Sequence, residues 1–396
     1  MRDQTLCVLR QPVPHDGYAS LAVPTHRAST IVFADAQSYA ERGKRGPDGY
    51  TYGLHGTPTT RALEAALTGL HRGVRTALVP SGQAATAVVF QTVLMPGDTV
   101  LVPDTAYPPT KGLCANFLEP RGIRYRIYDP LAGAGIAEQM DPSVKLVWTE
   151  SPGSTTMDIQ DIPAIVRVAH EHGALVGCDN TWATPLHFKP LDHGVDFAME
   201  ALTKYVGGHS DLLMGSITVR DLPLHRRLKD TMRMLGYGVS PDEVALALRG
   251  LETMGVRLAH ASRVALDLAE RIADHVPPEL VLHPALPSFP GHDLWKRDFA
   301  GSSGVFSLVI PQAAEATLPD LLTATKAFSI GASWGGTHSL LAPMNVAKDR
   351  HLGPAPHGGT ILRISIGVED PADLWADLEP IVEAVAAAAV RRSDAA

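Results

Sequence analysis

Between residues 60 and 250, short apolar runs alternate with stretches of helical spacing, which predicts a mainly parallel sheet covered by helices. Strands are expected at 76–79, 99–102, 145–148, 175–178, 196–202 and 213–219. The stretch 162–170 has helical spacing with a proline at its second position, acceptable in a first turn, and 222–265 reads as mostly helical. Val276-Pro277-Pro278 and the proline-rich stretch 283–292 break the pattern and read as a linker. A smaller α/β unit follows, with strands at 305–310 and 361–366 and a last helix, about 372–390, apolar on one face. The first fifty or so residues are rich in Pro, Gly, His and Arg, with one apolar patch at Thr30-Ile31-Val32-Phe33. Such a segment is not expected to form a core of its own, and reads as a loose tail or an arm laid on another subunit. The expected division is an arm at 1–57, a larger cofactor-binding domain at 58–250 and a C-terminal domain at 251–396, with no internal repeat.

Composition narrows the partners. The 396 residues are 45% hydrophobic and 19% charged, as in an ordinary globular protein with room for two or three units. A formal net charge of -8 argues against nucleic acid or an anionic membrane and leaves small molecules as the expected ligands. Cys7, Cys114 and Cys178 have no paired spacing, which fits a reducing compartment, and Cys178 reads as a small core residue. Met1 to Cys7 lacks the apolar core of a secretory signal, and no apolar run approaches the roughly 18 residues of a membrane span. The expected location is cytoplasmic.

Two strand ends carry the candidate chemistry. The strand at 175–178 runs into Asp179, and the strand at 196–202 runs into Thr203-Lys204 ahead of a Gly-Gly turn. Alone, Asp179 is an ordinary N-cap and Lys204 a snorkelling surface lysine. Together they are what pyridoxal phosphate needs: a lysine to hold the aldehyde as a Schiff base and an acid to keep the ring nitrogen protonated. Ser81-Gly82-Gln83 opens a helix directly after a strand, where free amides suit a phosphate, although a plain N-cap has the same sequence. Thr203 adds a further phosphate donor. Tyr107 is placed to stack on a ring and assist proton movement, or packs in its proline turn. Arg363, within an apolar strand, suits a bidentate grip on a carboxylate, or else faces solvent. His170 and His172 read as surface groups facing a helix dipole, and His351 and His357 lack metal-ligand spacing, so no metal site is expected.

Tyr52-Gly53, Gly56-Thr57-Pro58-Thr59, Ser81-Gly82, Ala106-Tyr107, Asp179-Asn180-Thr181 and Thr203-Lys204-Tyr205 through Gly208-His209-Ser210-Asp211 occur in order. This set resembles the pyridoxal-phosphate enzymes of cysteine and methionine metabolism over essentially the whole chain. Glu150-Ser151-Pro152-Gly153-Ser154, Asp179-Asn180-Thr181-Trp182 and Ser333-Trp334-Gly335-Gly336 are similar to its cystathionine β-lyase branch. The resemblance implies an aspartate-aminotransferase-like fold (fold type I), with a seven-stranded, mainly parallel sheet and a smaller C-terminal α/β domain. It implies that Lys204 holds the cofactor and moves the Cα proton, Asp179 pairs with the ring nitrogen and Tyr107 stacks on the ring. Gly82, Gln83 and Thr203 would bind the phosphate, and Arg363, Ser333 and Trp334 the substrate carboxylate. Tyr52 would reach the phosphate of a neighbouring subunit, in active sites shared within a homotetramer that is a dimer of dimers.

The implied reaction is α,β-elimination of a thiol from a sulfur amino acid, cystathionine in the first instance, within methionine biosynthesis. The γ-acting siblings (cystathionine γ-synthase, cystathionine γ-lyase, acyl-homoserine sulfhydrylases) differ at Ser154 and Trp334. A lyase for cystine or another S-conjugate, and a member that only binds, are further alternatives. Three positions depart from relatives: Leu54 replaces an arginine, Ala201 a phosphate-binding serine and His338 a glutamate. His55 or Arg61 would be candidates to supply the charge missing at Leu54.

Overall fold

The computed structural model describes residues 1–9, 17, 20–46, 48–352 and 360–393. Seven strands form the larger sheet: β1 (Arg75–Val79), β2 (Thr99–Pro103), β3 (Arg124–Tyr128), β4 (Val144–Glu150), β5 (Leu175–Asp179), β6 (Phe197–Ala201) and β7 (Gly215–Val219). Their order is β1-β7-β6-β5-β4-β2-β3, and only β7 runs against its neighbours. All six expected strands of this sheet are present. The seventh, β3, escaped the apolar criterion because an edge strand is half wet and here reads Arg-Tyr-Arg-Ile-Tyr, with Arg124 exposed and Tyr128 buried.

Side-chain parity divides the core into two faces. Val79, Val102, Leu146, Trp148 and Met199 face the helices Gly82–Val93 and Leu222–Leu235. Leu78 and Met214 on the opposite face meet the helices Pro58–His71 and Pro241–Ala273, while Leu101, Val147 and Val176 meet Ile162–Glu171. Gly177 sits beside Trp148 across β4 and β5, where a Cβ would stand 2.6 Å from the indole. The indole therefore fills the space of an absent side chain. The helical stretch 222–265 is two helices, because Gly236 takes φ 73° at the first C-cap and Pro241 starts the second.

The smaller sheet comprises β8 (Val281–Leu282), β9 (Val305–Ile310), β10 (Ser329–Ile330), β11 (Leu340–Asn345) and β12 (Thr360–Ser365), in the order β10-β11-β12-β9-β8. Helix Pro371–Ser393 packs with this sheet through Leu374, Leu378, Ile381 and Val385. The expected boundary at 250/251 falls inside the 33-residue helix Pro241–Ala273, whose first half packs on the larger unit and second half on the smaller. The stretch 283–292 is not a loose linker: His283, Leu286 and Phe289 are buried in the core the two units share. Its prolines shape turns that still deliver apolar side chains inward.

His170 is also more than a dipole-facing surface group. Its Nε2 lies 2.9 Å from Oδ2 of fully buried Asp196, whose Oδ1 meets Arg220 Nε at 2.6 Å. His172 does face the helix end, with Nδ1 2.9 Å from Val168 O. His357 lies outside the described residues. The three cysteines are buried and unpaired, and no described helix is long and apolar enough to cross a membrane.

Helix Pro241–Ala273 runs so close to the segment after Lys204 that a Cβ on Gly250 would collide with the carbonyl oxygens of Val206 and Gly207. Backbone cannot yield as a side-chain tip can. Gly250→Ala is therefore expected to lower stability by about 1–3 kcal/mol, read as a fall in Tm.

Candidate active site

Five strands bring their carboxyl ends to one rim, the place where open α/β sheets bind ligands. Beyond β1 lie Ser81, Gly82 and Gln83, beyond β2 Tyr107, at the end of β4 Glu150, at the end of β5 Asp179, and after β6 Thr203 and Lys204. The smaller unit closes the opposite wall with Ala332, Trp334 and Arg363. The pocket between them has a volume of about 270 Å³.

At one end the helix Gly82–Val93 points its N-terminus into the pocket. Ser81 Oγ caps the amide of Ala84 at 3.0 Å, and the amides of Gly82 and Gln83 have no acceptor among the described residues. Free amides at a helix start make an anion site. A Cβ on Gly82 would stand 2.7 Å from that of Ala201, so the glycine is required by the close approach of β6. Thr203 lines the same end, but its hydroxyl is placed to donate to Met214 O at 3.2 Å while accepting the Met214 N–H at 3.1 Å. The Gln83 side chain donates to Pro109 O at 3.0 Å, which leaves its backbone amide as the group facing the anion end.

Asp179 lies mid-pocket. Its Oδ1 accepts both the amide (2.9 Å) and the hydroxyl (2.5 Å) of Thr181, and Oδ2 has no partner among the described residues. Burial raises its pKa, against the pull of the Thr181 bonds. Lys204 Nζ donates to Ser333 Oγ at 2.8 Å and lies 5.3 Å from the Trp334 ring centroid. Burial foremost, then the Arg363 guanidinium, lowers its pKa from 10.5 to about 8. Arg363 is buried at the centre of the small sheet and donates through Nη2 to Ala332 O (2.6 Å) and Ser333 O (3.2 Å). That leaves Nε and Nη1 without partners among the described residues. Gly335, with φ 81°, lets the same loop press on Lys204, where a Cβ would stand 3.2 Å from the lysine's own.

Tyr107 is half exposed at the pocket and its amide donates to Glu150 Oε2 at 2.7 Å. Tyr52 is not part of this pocket and is half exposed on the arm. Leu54 packs on Gly238 and, with Tyr237, lines a second, smaller cavity. Of the two candidate charges, Arg61 bonds Glu64, His55 O and Asp48 O, and His55 Nδ1 lies 2.9 Å from Thr51 Oγ1. His338 is exposed, 3.9 Å from Glu369. His351 caps Asp104 through its amide, at 2.9 Å from Oδ1, and its ring.

Glu150, Thr181 and the loop of Thr155 (φ 68°) and Met157 (φ 63°) belong to the pocket wall although no role was expected of them. A carboxylate ending an apolar strand is the same signal that singled out Lys204.

The family model for "Cys/Met metabolism PLP-dependent enzyme" matches residues 4–383. The chain belongs to this family. It is 45% identical over 370 residues to the "Putative cystathionine beta-lyase" of Rhizobium johnstonii, covering 92% of each chain. It is 39% identical to "Cystathionine beta-lyase MetC" of Escherichia coli, covering 89% of this chain and 91% of that one. The crystal structure of cystathionine gamma synthase from Xanthomonas oryzae pv. oryzae, "in complex with aminoacrylate and cysteine", superimposes with a TM-score of 0.89 at 30% identity over 98% of this chain and 99% of that one. The fold is thus that of the fold-type-I pyridoxal-phosphate enzymes.

The pocket of this Cys/Met metabolism enzyme fits that cofactor on its own chemistry. Free amides at Gly82 and Gln83 suit the phosphate, the free oxygen of Asp179 suits a ring nitrogen, and Lys204 is an amine with a weakened hold on its proton. Below about pH 8 Lys204 is charged in folded and unfolded chains alike, and the folded state bears the whole cost of burying that charge. Between pH 8 and 10.5 the folded chain releases its proton first and the cost fades. Cofactor-free Lys204→Met is therefore expected to melt above the parent protein at pH 7, with the gap closing as pH rises through 8 towards 10.5 in thermal unfolding scans.

Proposed function

We propose that the chain is a carbon–sulfur lyase that eliminates the thiol of L-cystathionine, with one water, to give homocysteine, pyruvate and ammonia, in methionine biosynthesis. The observation that carries this reading is the Lys204 amine, held on the wall of the pocket by Ser333 and Trp334, with Asp179 on the neighbouring strand end. Similarity to proteins named cystathionine β-lyase supports it.

When bound, pyridoxal phosphate supplies an aldehyde that condenses with amines and a ring that accepts the electron pair left at the substrate Cα. The chain supplies the rest. Gly82 and Gln83 amides, with Thr203 beside them, hold the phosphate end. Asp179 would hold its free oxygen towards the ring nitrogen, and Tyr107 would stack on the ring. Arg363, its Nη2 pinned by the Ala332 and Ser333 carbonyls, offers Nε and Nη1 to the substrate carboxylate. Lys204, with a pKa of about 8, is a usable base near neutral pH and takes the Cα proton. The Cβ–S bond then breaks, the sulfur leaves as a thiol with a proton returned from Lys204, and water converts the three-carbon remainder to pyruvate and ammonia.

The division into an arm (1–57), a cofactor-binding domain (58–250) and a C-terminal domain (251–396) is retained. The arm exposes Leu21 (84%) and Val32 (87%), as a segment laid on another copy would. The active form is read as a cytoplasmic homotetramer of paired dimers, in which Tyr52 reaches the phosphate end of a neighbour's site.

Product analysis with cystathionine tests the reaction. Pyruvate with homocysteine is expected, while 2-oxobutyrate would move the chain to the γ-acting siblings; cystine as a competing substrate reveals a broader S-conjugate lyase. Lys204→Ala is expected to abolish turnover. Arg363→Lys, which replaces a planar fork by a point charge, is expected to raise KM about tenfold or more in steady-state kinetics.

A further inference from the structure

Glu150 and Asp179 are direct partners in the β4–β5 register, so two carboxyl groups share one end of the pocket. They are not equivalent. The Asp179 carboxyl receives two hydrogen bonds from Thr181, whereas the single hydrogen bond to the Glu150 carboxyl found among the described residues comes from the Tyr107 amide. Two cations flank Glu150 but are committed elsewhere. Lys111 Nζ donates to the carbonyls of Asp104 (2.7 Å) and Asp349. Arg350 donates to Asp104 O (3.0 Å), Ser154 O (3.2 Å) and Thr156 Oγ1 (2.9 Å).

Tyr107 has few other means of holding its place. Its ring is half exposed, and the two residues after it, Pro108 and Pro109, have no amide hydrogens to anchor the turn. The anchors are the Glu150 carboxyl on its own N–H, the Thr110 N–H on its carbonyl oxygen at 2.9 Å and the Gln83 side chain on Pro109 O.

We propose that Glu150 is a positioning residue for Tyr107: its side chain accepts the Tyr107 N–H and sets where the ring stands, a role that needs the acceptor and not a negative charge. Electrostatics favours this division of labour. Burial first, then the Asp179 charge beside it, drives the Glu150 carboxyl towards its neutral form, with Tyr107 N–H, Arg350 and Lys111 opposing. Hydrogen bonds to a carboxylate favour its charged form, and of the two carboxyls Asp179 receives more of them. A neutral Glu150 still accepts an N–H through its carbonyl oxygen, and leaves Asp179 as the single anion facing the ring nitrogen.

The inference rests on the cofactor and elimination reading above, so its test includes a measurement that needs no turnover. Glu150→Gln keeps an acceptor and drops the charge, Glu150→Ala removes both, and Glu150→Asp keeps the charge and shortens the reach. In the cofactor-loaded protein, Glu150→Ala is expected to lose about tenfold or more in kcat with a smaller change in KM, and to alter the visible circular dichroism of the bound cofactor. Glu150→Gln should recover most of both. On a Tyr107→Ala background, which leaves the backbone amide in place but removes the ring, Glu150→Ala should cost less than on the parent protein. If Glu150→Ala does not fold, Glu150→Gln must still outperform Glu150→Asp. A Glu150→Gln protein as impaired as Glu150→Ala, an undiminished loss on the Tyr107→Ala background, or a harmless Glu150→Ala would overturn the proposal. A parent protein that makes no pyruvate would sink the elimination reading alone, because the dichroism comparison still decides the role of Glu150.

Discussion

Withdrawing one lysine amine from bulk water is the constraint around which this molecule is arranged. Lys204 follows β6 at the rim of the sheet, where burial and the Arg363 charge weaken its hold on a proton. A surface lysine would stay protonated at neutral pH and be useless as a base. Withdrawing the amine part-way from water takes close packing around the lysine's backbone and the walls beside it, and glycines supply it. Gly335 lets the Ser333–Trp334 loop press on the lysine, Gly82 lets β6 approach the helix start, and Gly250 lets the long helix run against Val206 and Gly207.

The site depends on two units held in register. Trp182 Nε1 donates to Val305 O at 3.0 Å and the Gly304 amide donates to Tyr205 Oη at 2.9 Å, so residues beside the cofactor pocket are tied to the start of β9. Helix Pro241–Ala273 spans both cores. Segment 349–352 reaches back from the smaller unit to Asp104, three residues before Tyr107, and Arg350 joins it to the 154–156 loop. These contacts explain how Arg363, 159 positions beyond Lys204 in the chain, holds a fixed place in the same pocket.

Charges at the pocket are sorted by their partners rather than by their type. Asp179 keeps one oxygen occupied and one free, Arg363 keeps one nitrogen occupied and two free, and Lys111 and Arg350 have their hydrogens turned to backbone carbonyls. Thr203 and Gln83 illustrate the same point, since both line the anion end with side chains engaged by protein. That leaves backbone amides as the free donors at the anion end.

How much was legible in the sequence follows from what local composition encodes. Continuous apolar runs marked six strands of the larger sheet, because burial on two faces leaves no room for polar residues, and charged residues at their ends marked Lys204 and Asp179. Edge strand β3 stayed hidden because its wet face demands charge, and the stretch 283–292 misled because prolines conceal apolar side chains that a distant core receives. Arg61 and His55 were candidates for a missing charge, and nothing local in the sequence signals that Arg61 pairs with Glu64 and His55 with Thr51. His170 read as a surface group, since nothing local signals the buried Asp196 that it meets across 26 residues. The sequence by itself determined the strands, the helices and the residue types at their ends. Only the tertiary structure decided that β5 lies between β4 and β6, which sets Glu150 beside Asp179 and Asp179 near Lys204, because strand order and register are settled by packing between segments far apart in the chain.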